Sequence, residues 1–187
     1  MATAAELAEQ GGFEAVRLRE VAANAGVALG TLYKRFRSKE DLLIATLEVE
    51  VEKLEARLAQ QPVEGDRLSE RVLMFFNLAT GRMFRKPKLA RAVLRALTSG
   101  EPELTAKIAR FHDRMTGLIT AAMRGPNKEP TPDGLPDESQ QVLARILQQV
   151  WFAALVGWMG GLHSRASVLD QLELSMDILL RGMQLEG

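Results

Sequence analysis

The amino-acid sequence predicts an all-α fold in which a helix-turn-helix head is joined by one long helix to a larger helical domain. Within residues 18–36, two short helical patterns flank a turn at Gly26-Val27. Residues 38–61 carry a single apolar stripe opposite acidic residues, which is typical of a long amphipathic helix. Apolar residues within positions 169–183 recur every three to four residues, which indicates a further helix with a packing seam.

The head combines a predicted helix over residues 2–11 with the helix pair of residues 18–36. Gly26 ends the first helix of the pair, because glycine adopts the left-handed conformation of a C-terminal cap without strain. The residues expected to fill the core of the head are Phe13, Leu18, Val21, Val27, Leu32 and Phe36. A helix, a tight turn and a second helix form the layout that places the second helix in the DNA major groove.

Basic residues are concentrated around this turn. Between Val16 and Lys39 they are Arg17, Arg19, Lys34, Arg35, Arg37 and Lys39. The only acid there is Glu20, so the local charge is +5 in a chain whose formal net charge is zero. Such a patch favours attraction to phosphate. The alternative is a packing motif with an ordinary solvated basic face, since helix-turn-helix shapes also occur as structure alone.

The head also contains many residue types at fixed spacing. They are Gly12-Phe13-Glu14-Ala15, Leu18-Arg19-Glu20-Val21-Ala22, Ala25-Gly26-Val27, Gly30-Thr31-Leu32-Tyr33, Phe36 and Ser38-Lys39-Glu40-Asp41-Leu42. Over about residues 4–45 this pattern resembles the N-terminal domain of TetR-family transcriptional regulators. The resemblance implies a homodimeric, all-helical repressor with a small-molecule pocket. We therefore expect a DNA-binding domain at residues 1–45 and a ligand-binding and dimerisation domain at residues 46–187.

Eight residues of the head are candidates for contacting DNA. They are Arg17, Arg19, Leu29, Gly30, Thr31, Tyr33, Lys34 and Lys39. The two arginines stand at the start of a helix, where free amide groups and guanidinium groups suit a phosphate. Thr31 offers a hydroxyl and a methyl group to base edges. The resemblance implies that Lys39 touches phosphate, and half-buried packing is the alternative for Tyr33.

Helical spacing continues beyond the head. Further helices are predicted over residues 66–85, 87–99, 102–123, 137–163 and 168–183. Four of the chain's seven prolines lie between Arg124 and Glu138, so residues 124–138 are predicted to form an extended, mobile loop. Gly157, Gly160 and Gly161 are costly inside a helix, and we expect another backbone segment to pass close to them.

Methionine and aromatic residues of the C-terminal domain suit an adaptable apolar pocket. The candidates are Phe75, Leu78, Met83, Leu94, Leu97, Phe111, Met115, Leu118, Trp151, Phe152 and Leu155. The alternative for each is a filled core. Three further patterns resemble the TetR subgroup that contains the actinobacterial repressor of cholesterol catabolism. They are the run Arg82-Met83-Phe84-Arg85-Lys86-Pro87, the spacing of Arg145, Trp151, Leu155 and Trp158, and Leu172 with Leu179-Leu180.

The subgroup resemblance implies an apolar effector, a fatty acyl-CoA or a sterol-derived CoA thioester. Six cations are candidates for the phosphates of CoA: Arg82, Arg85, Lys86, Lys88, Arg91 and Arg95. The alternative for them is a solvated face. In this family, movement of the long helix carries ligand binding to the DNA-binding heads.

The last two helices are the predicted dimer interface. The candidate residues are Trp158, Leu169, Leu172, Met176, Leu179 and Met183. Two helices from each of two chains would form a four-helix interface, which is how the family dimerises, and a symmetric pair suits two DNA half-sites. The alternative is that these helices bury each other within one chain.

Other classes of protein are disfavoured by what the sequence lacks. Without cysteine there is no disulfide, thiolate metal site or cysteine nucleophile. No catalytic or nucleotide-binding motif is present, and the adjacent His112 and Asp113 are interpreted as helix-surface residues. The longest apolar run, Val150 to Leu162, is too short to span a membrane, and no signal peptide is visible. We expect a cytoplasmic protein that is not an enzyme and uses no cofactor or metal; a helical adaptor that binds only protein is the alternative.

Overall fold

The structure is a computed structural model that describes residues 1–126 and 136–185. Its helices are α1 (Ala2–Gly11), α2 (Leu18–Asn24), α3 (Leu29–Arg35), α4 (Lys39–Gln60), α5 (Leu68–Arg85), α6 (Pro87–Leu97), α7 (Thr105–Arg124), α8 (Asp137–Met159) and α9 (Arg165–Leu185). Short 3-10 turns occur at Phe13–Ala15 and Pro102–Leu104. No strand occurs in either described range, so the predicted all-α fold is confirmed.

Helix α8 ends earlier than predicted. It stops at Met159 rather than at His163, and Gly160 and Gly161 follow it, the latter with a φ of +81° that favours glycine. Inside the helix, a Cβ atom built on Gly157 would lie 2.2 Å from Cδ2 of His163. The close approach at this glycine is therefore made by a side chain of the same chain, and the passing of another backbone segment close to the three glycines stays a prediction.

The last helix starts at Arg165, before the predicted start at residue 168. The cause is Ser164, whose hydroxyl accepts a hydrogen bond from the amide of Ser167 at 3.1 Å and so caps the helix. The predicted loop over residues 124–138 falls between α7 and α8. Its residues 127–135 lie outside the described residues, and the loop stays a prediction.

The chain forms two compact units. The first consists of residues 1–54 with residues 82–111, and the second of residues 55–81 with the described residues from 112 onward. In the first unit, α6 packs against α1 and against the turn at Phe13–Ala15. The sequence assigned α6 to the domain after residue 45, and that functional boundary stays a prediction.

The head helices of the first unit enclose a small apolar core. Its buried side chains include Ala4, Ala8, Val21, Leu32 and Phe36. Val27 does not belong to it, because 43 % of this residue is exposed in the turn after Gly26, whose φ is +66°. The prediction that Val27 fills the core is therefore wrong. Helix α3 follows Ala28, which provides no side-chain cap.

A buried carboxylate fixes the start of α4. Asp41 is 4 % exposed and accepts a hydrogen bond from the amide of Arg37 at 3.1 Å. Its carboxylate also forms an ion pair with Lys107 of α7, within the same unit. In return, the Ser38 hydroxyl accepts a hydrogen bond from the Asp41 amide at 3.1 Å, which caps α4. These contacts hold the first turn of the long helix in place.

In the second unit, α8 packs along α9 and supplies much of the core. The rings of Phe75 and Phe76 are 5.4 Å apart between centroids, and those of Phe76 and Trp151 are 5.6 Å apart. Helix α8 is long and apolar enough to cross a membrane by length and composition alone. Its buried Leu143, Leu147 and Trp151 are also what the core helix of a helical unit requires.

Candidate DNA-binding surface and effector site

Helix α3 presents most of its side chains to solvent. Gly30, Thr31, Tyr33 and Lys34 are exposed, Tyr33 to the extent of 54 %, and Leu29 is half-buried. A Cβ atom built on Gly30 would meet no other atom within 4 Å, so another molecule can approach this backbone closely. The 54 % exposure of Tyr33 favours the predicted DNA contact over half-buried packing.

The cations around α3 differ in their partners. Arg17 forms an exposed ion pair with Glu20, in which Nη1 and Oε1 are 3.4 Å apart. Arg19 and Lys34 are exposed and form no ion pair within the part of the chain that the structure describes. Both side chains are thus positioned to meet an external anion without breaking an internal contact.

Lys39, at the start of α4, has a different environment. Its Nζ lies 3.2 Å from Oε2 of Glu14 and 3.9 Å from the centroid of the Phe13 ring. Glu14 also pairs with Arg95 of α6, with 2.9 Å between Oε1 and Nη1. The hydrogen bond and charge of Lys39 lower the pKa of Glu14 below its ordinary value. Sequence reasoning missed these partners, because Arg95 is distant along the chain and Glu14 was noted only as part of the motif.

A small cleft opens among α4, α5 and α6 in the first unit. It is lined by Thr46, Leu47, Glu50, Arg82, Met83, Lys86, Leu89, Ala90 and Val93, and its volume is about 70 Å³. Pockets for drug-sized ligands are several times larger, at about 300–1,000 Å³. The cleft therefore has to widen before it holds an acyl chain or a sterol.

An ion pair lies at this cleft. Nη2 of Arg82 is 2.7 Å from Oε2 of Glu50, and Nζ of Lys53 is 2.6 Å from Oε1 of the same carboxylate. Burial raises the pKa of Glu50, but hydrogen bonds from Lys53 and Arg82 outweigh it and lower the pKa overall. The charge of Arg82 is therefore partly neutralised by Glu50, whereas Lys86 is exposed.

Three of the other cations predicted for CoA, Lys88, Arg91 and Arg95, have contacts within the chain. Lys88 donates a hydrogen bond to the carbonyl oxygen of Gln10 at 2.8 Å, and Arg95 pairs with Glu14. These contacts attach α6 to α1 and to the turn that follows it, so they give both side chains a structural role. Arg85 and Arg91 are exposed.

The side chains predicted to line an effector pocket are divided between the units. Met83, Leu94, Leu97 and Phe111 belong to the first unit, and Phe75, Leu78, Met115, Leu118, Trp151, Phe152 and Leu155 belong to the second. Met83 lines the cleft. Most of the set is buried, as in a filled core, and Leu78, Met83, Leu118 and Phe152 are half-buried. Their common pocket stays a prediction.

Polar groups lie among the apolar residues of the second unit. The indole Nε1 of Trp151 donates to the hydroxyl of Thr80 at 2.9 Å. The amide nitrogen of Gln148 is 2.7 Å from Nδ1 of His112, and its amide oxygen accepts from the hydroxyl of Thr116 at 2.8 Å. Apolar spacing alone does not indicate such contacts, because each joins residues on different helices.

The interpretation of His112 as a surface residue is wrong. The imidazole is half-buried, and its centroid lies 5.7 Å from that of the Phe152 ring. Burial lowers the pKa of His112 from its ordinary value, and the negative charge of Asp113 only partly opposes this. Neutral His112 can accept the hydrogen bond from Gln148 at Nδ1.

The predicted dimer residues are mostly turned inward. Trp158, Leu172 and Met176 are at most 5 % exposed in the protomer, and Leu169, Leu179 and Met183 are half-buried. The strongly exposed apolar side chains of α9 are instead Leu174 and Ile178, at 64 % and 62 %. The burial of Trp158, Leu172 and Met176 is therefore explained by the alternative, in which α8 and α9 bury each other within one chain. The dimer interface stays a prediction.

Two family models match the chain. Residues 1–46 match bacterial regulatory proteins of the tetR family, and residues 65–179 match the tetracyclin repressor-like C-terminal domain. The chain belongs to the TetR family. Its helix-turn-helix is thus the DNA-binding domain of a TetR-family regulator, as the head motif predicts, and its C-terminal part matches the family's second domain.

Curated TetR-family relatives support the same assignment. The chain is 35 % identical to the HTH-type transcriptional repressor KstR of Rhodococcus jostii over 174 residues, which cover 93 % of the chain and 77 % of that protein. It is 30 % identical to KstR of Mycolicibacterium smegmatis, with coverages of 93 % and 81 %. The predicted subgroup resemblance is consistent with these matches.

Solved structures show the same TetR fold. A TetR regulator from Rhodococcus sp. RHA1 has a TM-score of 0.81 at 24 % identity, covering 96 % of this chain and 92 % of that one. FadR from Thermus thermophilus, solved with lauroyl-CoA, has a TM-score of 0.69 at 22 % identity and coverages of 97 % and 92 %. FadR from Bacillus subtilis, solved with stearoyl-CoA, has a TM-score of 0.65 at 18 % identity and coverages of 97 % and 96 %.

Proposed function

We propose that this TetR-family regulator is a homodimeric repressor that an apolar thioester releases from a palindromic operator. The observation that carries the proposal is the exposed face of α3 with the exposed cations Arg19 and Lys34, which pair with no acid among the described residues. Two such helices would enter successive major grooves, where Thr31 reaches base edges and the cations meet phosphates. The family relatives that are named as repressors support the direction of control.

For the effector we propose a long-chain acyl-CoA or a sterol-derived CoA thioester. The cleft of the first unit is apolar around Met83 and Val93, with exposed Lys86 available to a phosphate. Its small volume means that a bound ligand displaces the surrounding helices, α4 included. Release follows only if the thioester binds the displaced state better than the DNA-bound one. The acyl-CoA complexes of two proteins with this fold support the ligand class.

The DNA-binding part is tested by fluorescence anisotropy on a duplex from upstream of the protein's own gene, with a scrambled duplex as control. Arg19→Ala and Lys39→Ala are each expected to weaken binding by about five- to tenfold and to reduce the salt slope by about 1. Arg57→Ala is the matched control, because Arg57 is an exposed cation outside the predicted DNA contacts and the predicted dimer interface. Unchanged affinity and slope in both head variants would refute this docking mode; absence of selective binding by the wild type would favour the adaptor alternative.

The effector part is tested on the same complex by adding stearoyl-CoA or a bile-acid CoA thioester, with free CoA as control. Release by either thioester is expected. Lys86→Gln should raise the thioester concentration needed for release, whereas Arg110→Gln, a change at an exposed cation that does not line the cleft, should not. If the protein binds DNA selectively and neither thioester releases it, the repressor function stands and the proposed ligand class is rejected.

The homodimer is tested by sedimentation. The exposed Leu174 and Ile178 extend the apolar surface of α9, next to the half-buried Leu169, Leu179 and Met183 of the predicted interface. Leu174→Glu with Ile178→Glu is expected to shift the dimer to monomer, because both charges would have to be buried. A dimer that survives both changes would contradict an interface on this face.

A further inference from the structure

One acid of the head lies between two cations from different parts of the chain. Glu14, in the short turn after α1, holds Lys39 through Oε2 at 3.2 Å and Arg95 through Oε1 at 2.9 Å. The neighbouring Phe13 ring strengthens the arrangement, since its centroid is 3.9 Å from Nζ of Lys39 and 4.1 Å from Cζ of Arg95. A carboxylate and an aromatic ring thus orient both cations at once.

The pair with Glu14 competes with DNA for the same ammonium group. Carboxylate and phosphate oxygens are both charged acceptors for the three N–H donors of Lys39, and a carboxylate 3.2 Å from Nζ repels a phosphate that approaches the same ammonium group. Glu14 does not lose its only partner when Lys39 leaves, because Arg95 remains on the other oxygen. Within residues 1–126 and 136–185, Arg19 and Lys34 have no such acid and no comparable contact to give up.

We propose that Glu14 is a positioning residue for DNA binding, which holds Lys39 in the DNA-free protein and yields it to a backbone phosphate, while Arg95 keeps the carboxylate paired. The proposal rests on the proposed DNA-binding function and adds a control on its affinity. Because Glu14 competes for Lys39, it lowers the affinity of the protein for DNA of any sequence. It does not change the number of phosphates that the protein contacts.

The position of Arg95 links this control to the cleft. Arg95 belongs to α6, whose Leu89, Ala90 and Val93 line the cleft on the same helix. The start of α6 is attached to α1, since the Leu89 amide donates to Oε2 of Glu9 at 3.2 Å. A ligand that displaces α6 would change the distance between Arg95 and Glu14. It would therefore change the strength of the ion pair between Glu14 and Lys39.

The test measures operator affinity of the full chain by anisotropy for Glu14→Gln, Lys39→Gln and the double variant. Glu14→Gln is expected to tighten binding by about two- to fivefold, since an exposed ion pair has a small interaction energy. The gain should vanish in the Lys39→Gln background, and the salt slope should fall only where Lys39 is changed. Glu6→Gln is the matched control: it removes an exposed acid of the same unit that pairs with no cation among the described residues, and it should leave affinity unchanged.

Arg95 gives a second, independent readout. Arg95→Gln is expected to weaken operator binding by about two- to fivefold, because Glu14 then depends on Lys39 alone, and to have no effect in the Glu14→Gln background. Helical circular dichroism and the melting temperature confirm that each variant is folded.

Three results would overturn the proposal: an unchanged or weaker affinity for Glu14→Gln, an equal gain in the Lys39→Gln background, or an equal gain for Glu6→Gln. The second and third would mean that any lost negative charge helps the protein approach DNA. If the wild type itself shows no selective binding, the proposed function fails instead, and the two failures are distinguished in the first titration.

Discussion

The basic surface of the head and the interior of the second unit hold their polar side chains in opposite ways. At the head, Lys39 and Arg37 pair with the exposed acids Glu14 and Glu103. In the second unit, Arg71 is 4 % exposed and donates to backbone carbonyl oxygens, and Trp151 donates to the hydroxyl of buried Thr80. The first kind of contact can be exchanged for an external anion, and the second kind cannot be exchanged without unfolding.

The difference follows from solvation. Water and salt screen an exposed ion pair, so breaking it costs little and a phosphate can replace the acid. A buried donor or acceptor that loses its partner finds no water to replace it and carries the full desolvation penalty. Changes at the head should therefore alter binding more than stability, and changes inside the second unit should do the reverse.

The largest loss of stability is expected for Arg71→Met. The guanidinium donates to the carbonyl oxygens of Gly65 at 2.8 Å and of Ala122 at 3.2 Å, and it also reaches that of Met123 in the last turn of α7. Methionine preserves much of the apolar stem but leaves these acceptors without a donor, which costs about 3–5 kcal/mol. Urea unfolding followed by circular dichroism measures the free energy of unfolding.

Arg71→Lys is the matched variant, since it keeps the charge but offers fewer directed donors. It is expected to recover only part of the loss. A cost below about 1 kcal/mol for Arg71→Met would mean that the carbonyl groups find water, and the contrast between the two regions would not hold.

Thr80→Val is expected to cost about 1–3 kcal/mol. Valine has nearly the shape of threonine, so the variant removes the acceptor of the Trp151 indole with little change in packing. Thr80→Ser keeps the hydroxyl and should retain the hydrogen bond, although it loses a methyl group. Urea unfolding compares the two variants; if Thr80→Val proves as stable as the wild type, the indole must have another acceptor.

The sequence predicts the helices and the head well, because both depend on local spacing. The apolar faces of α2 and α3, the turn at Gly26 and the long α4 can all be located from residues within one or two helical turns. Arg71 could not be interpreted in this way: its acceptors at Ala122 and Met123 are about fifty positions away. On sequence alone it is one more arginine in an amphipathic helix.

The candidate site shows the same division between features set by local spacing and contacts between distant parts of the chain. The exposed residues of α3 were predicted from the head motif, but the partners of Lys39 were not, because Arg95 reaches Glu14 only through the packing of α6 on the first turn after α1. The effector pocket was predicted from composition, and composition does not distinguish a cavity from a filled core. For Phe75 and Leu155 the structure shows buried core side chains, with 0 % and 1 % exposure.

A pH-dependent loss of stability is expected at His112, smaller than that of Thr80→Val. Burial lowers the pKa of the folded His112, so below its ordinary value of 6.5 the unfolded chain binds more protons than the folded one. Stability should therefore fall as the pH drops from 7 to about 5.5. Protonation at Nδ1 also removes the acceptor for Gln148.

His112→Gln is expected to flatten this dependence in urea unfolding across the same pH range. Glu14 and Glu70 do not interfere, because hydrogen bonds from Lys39 and from Arg67 lower their pKa values, so their effects on stability appear as the pH falls through the ordinary value of 4.5. An unchanged slope in the variant would show that another group produces the pH dependence.

The smallest effect on stability is expected for Glu103→Gln. Its pair with Arg37 is 3.0 Å long, but both side chains are more than 60 % exposed, so the free energy of unfolding should change by less than about 0.5 kcal/mol. The same urea experiment that detects Arg71→Met provides the comparison. A cost above about 1 kcal/mol would mean that this surface pair is held as rigidly as the buried contacts. In that case Glu14, which is similarly exposed, would also hold Lys39 too firmly for a phosphate to replace it. The contrast between exchangeable ion pairs at the head and fixed contacts in the second unit would then not hold for the lysine on which the proposed DNA binding depends.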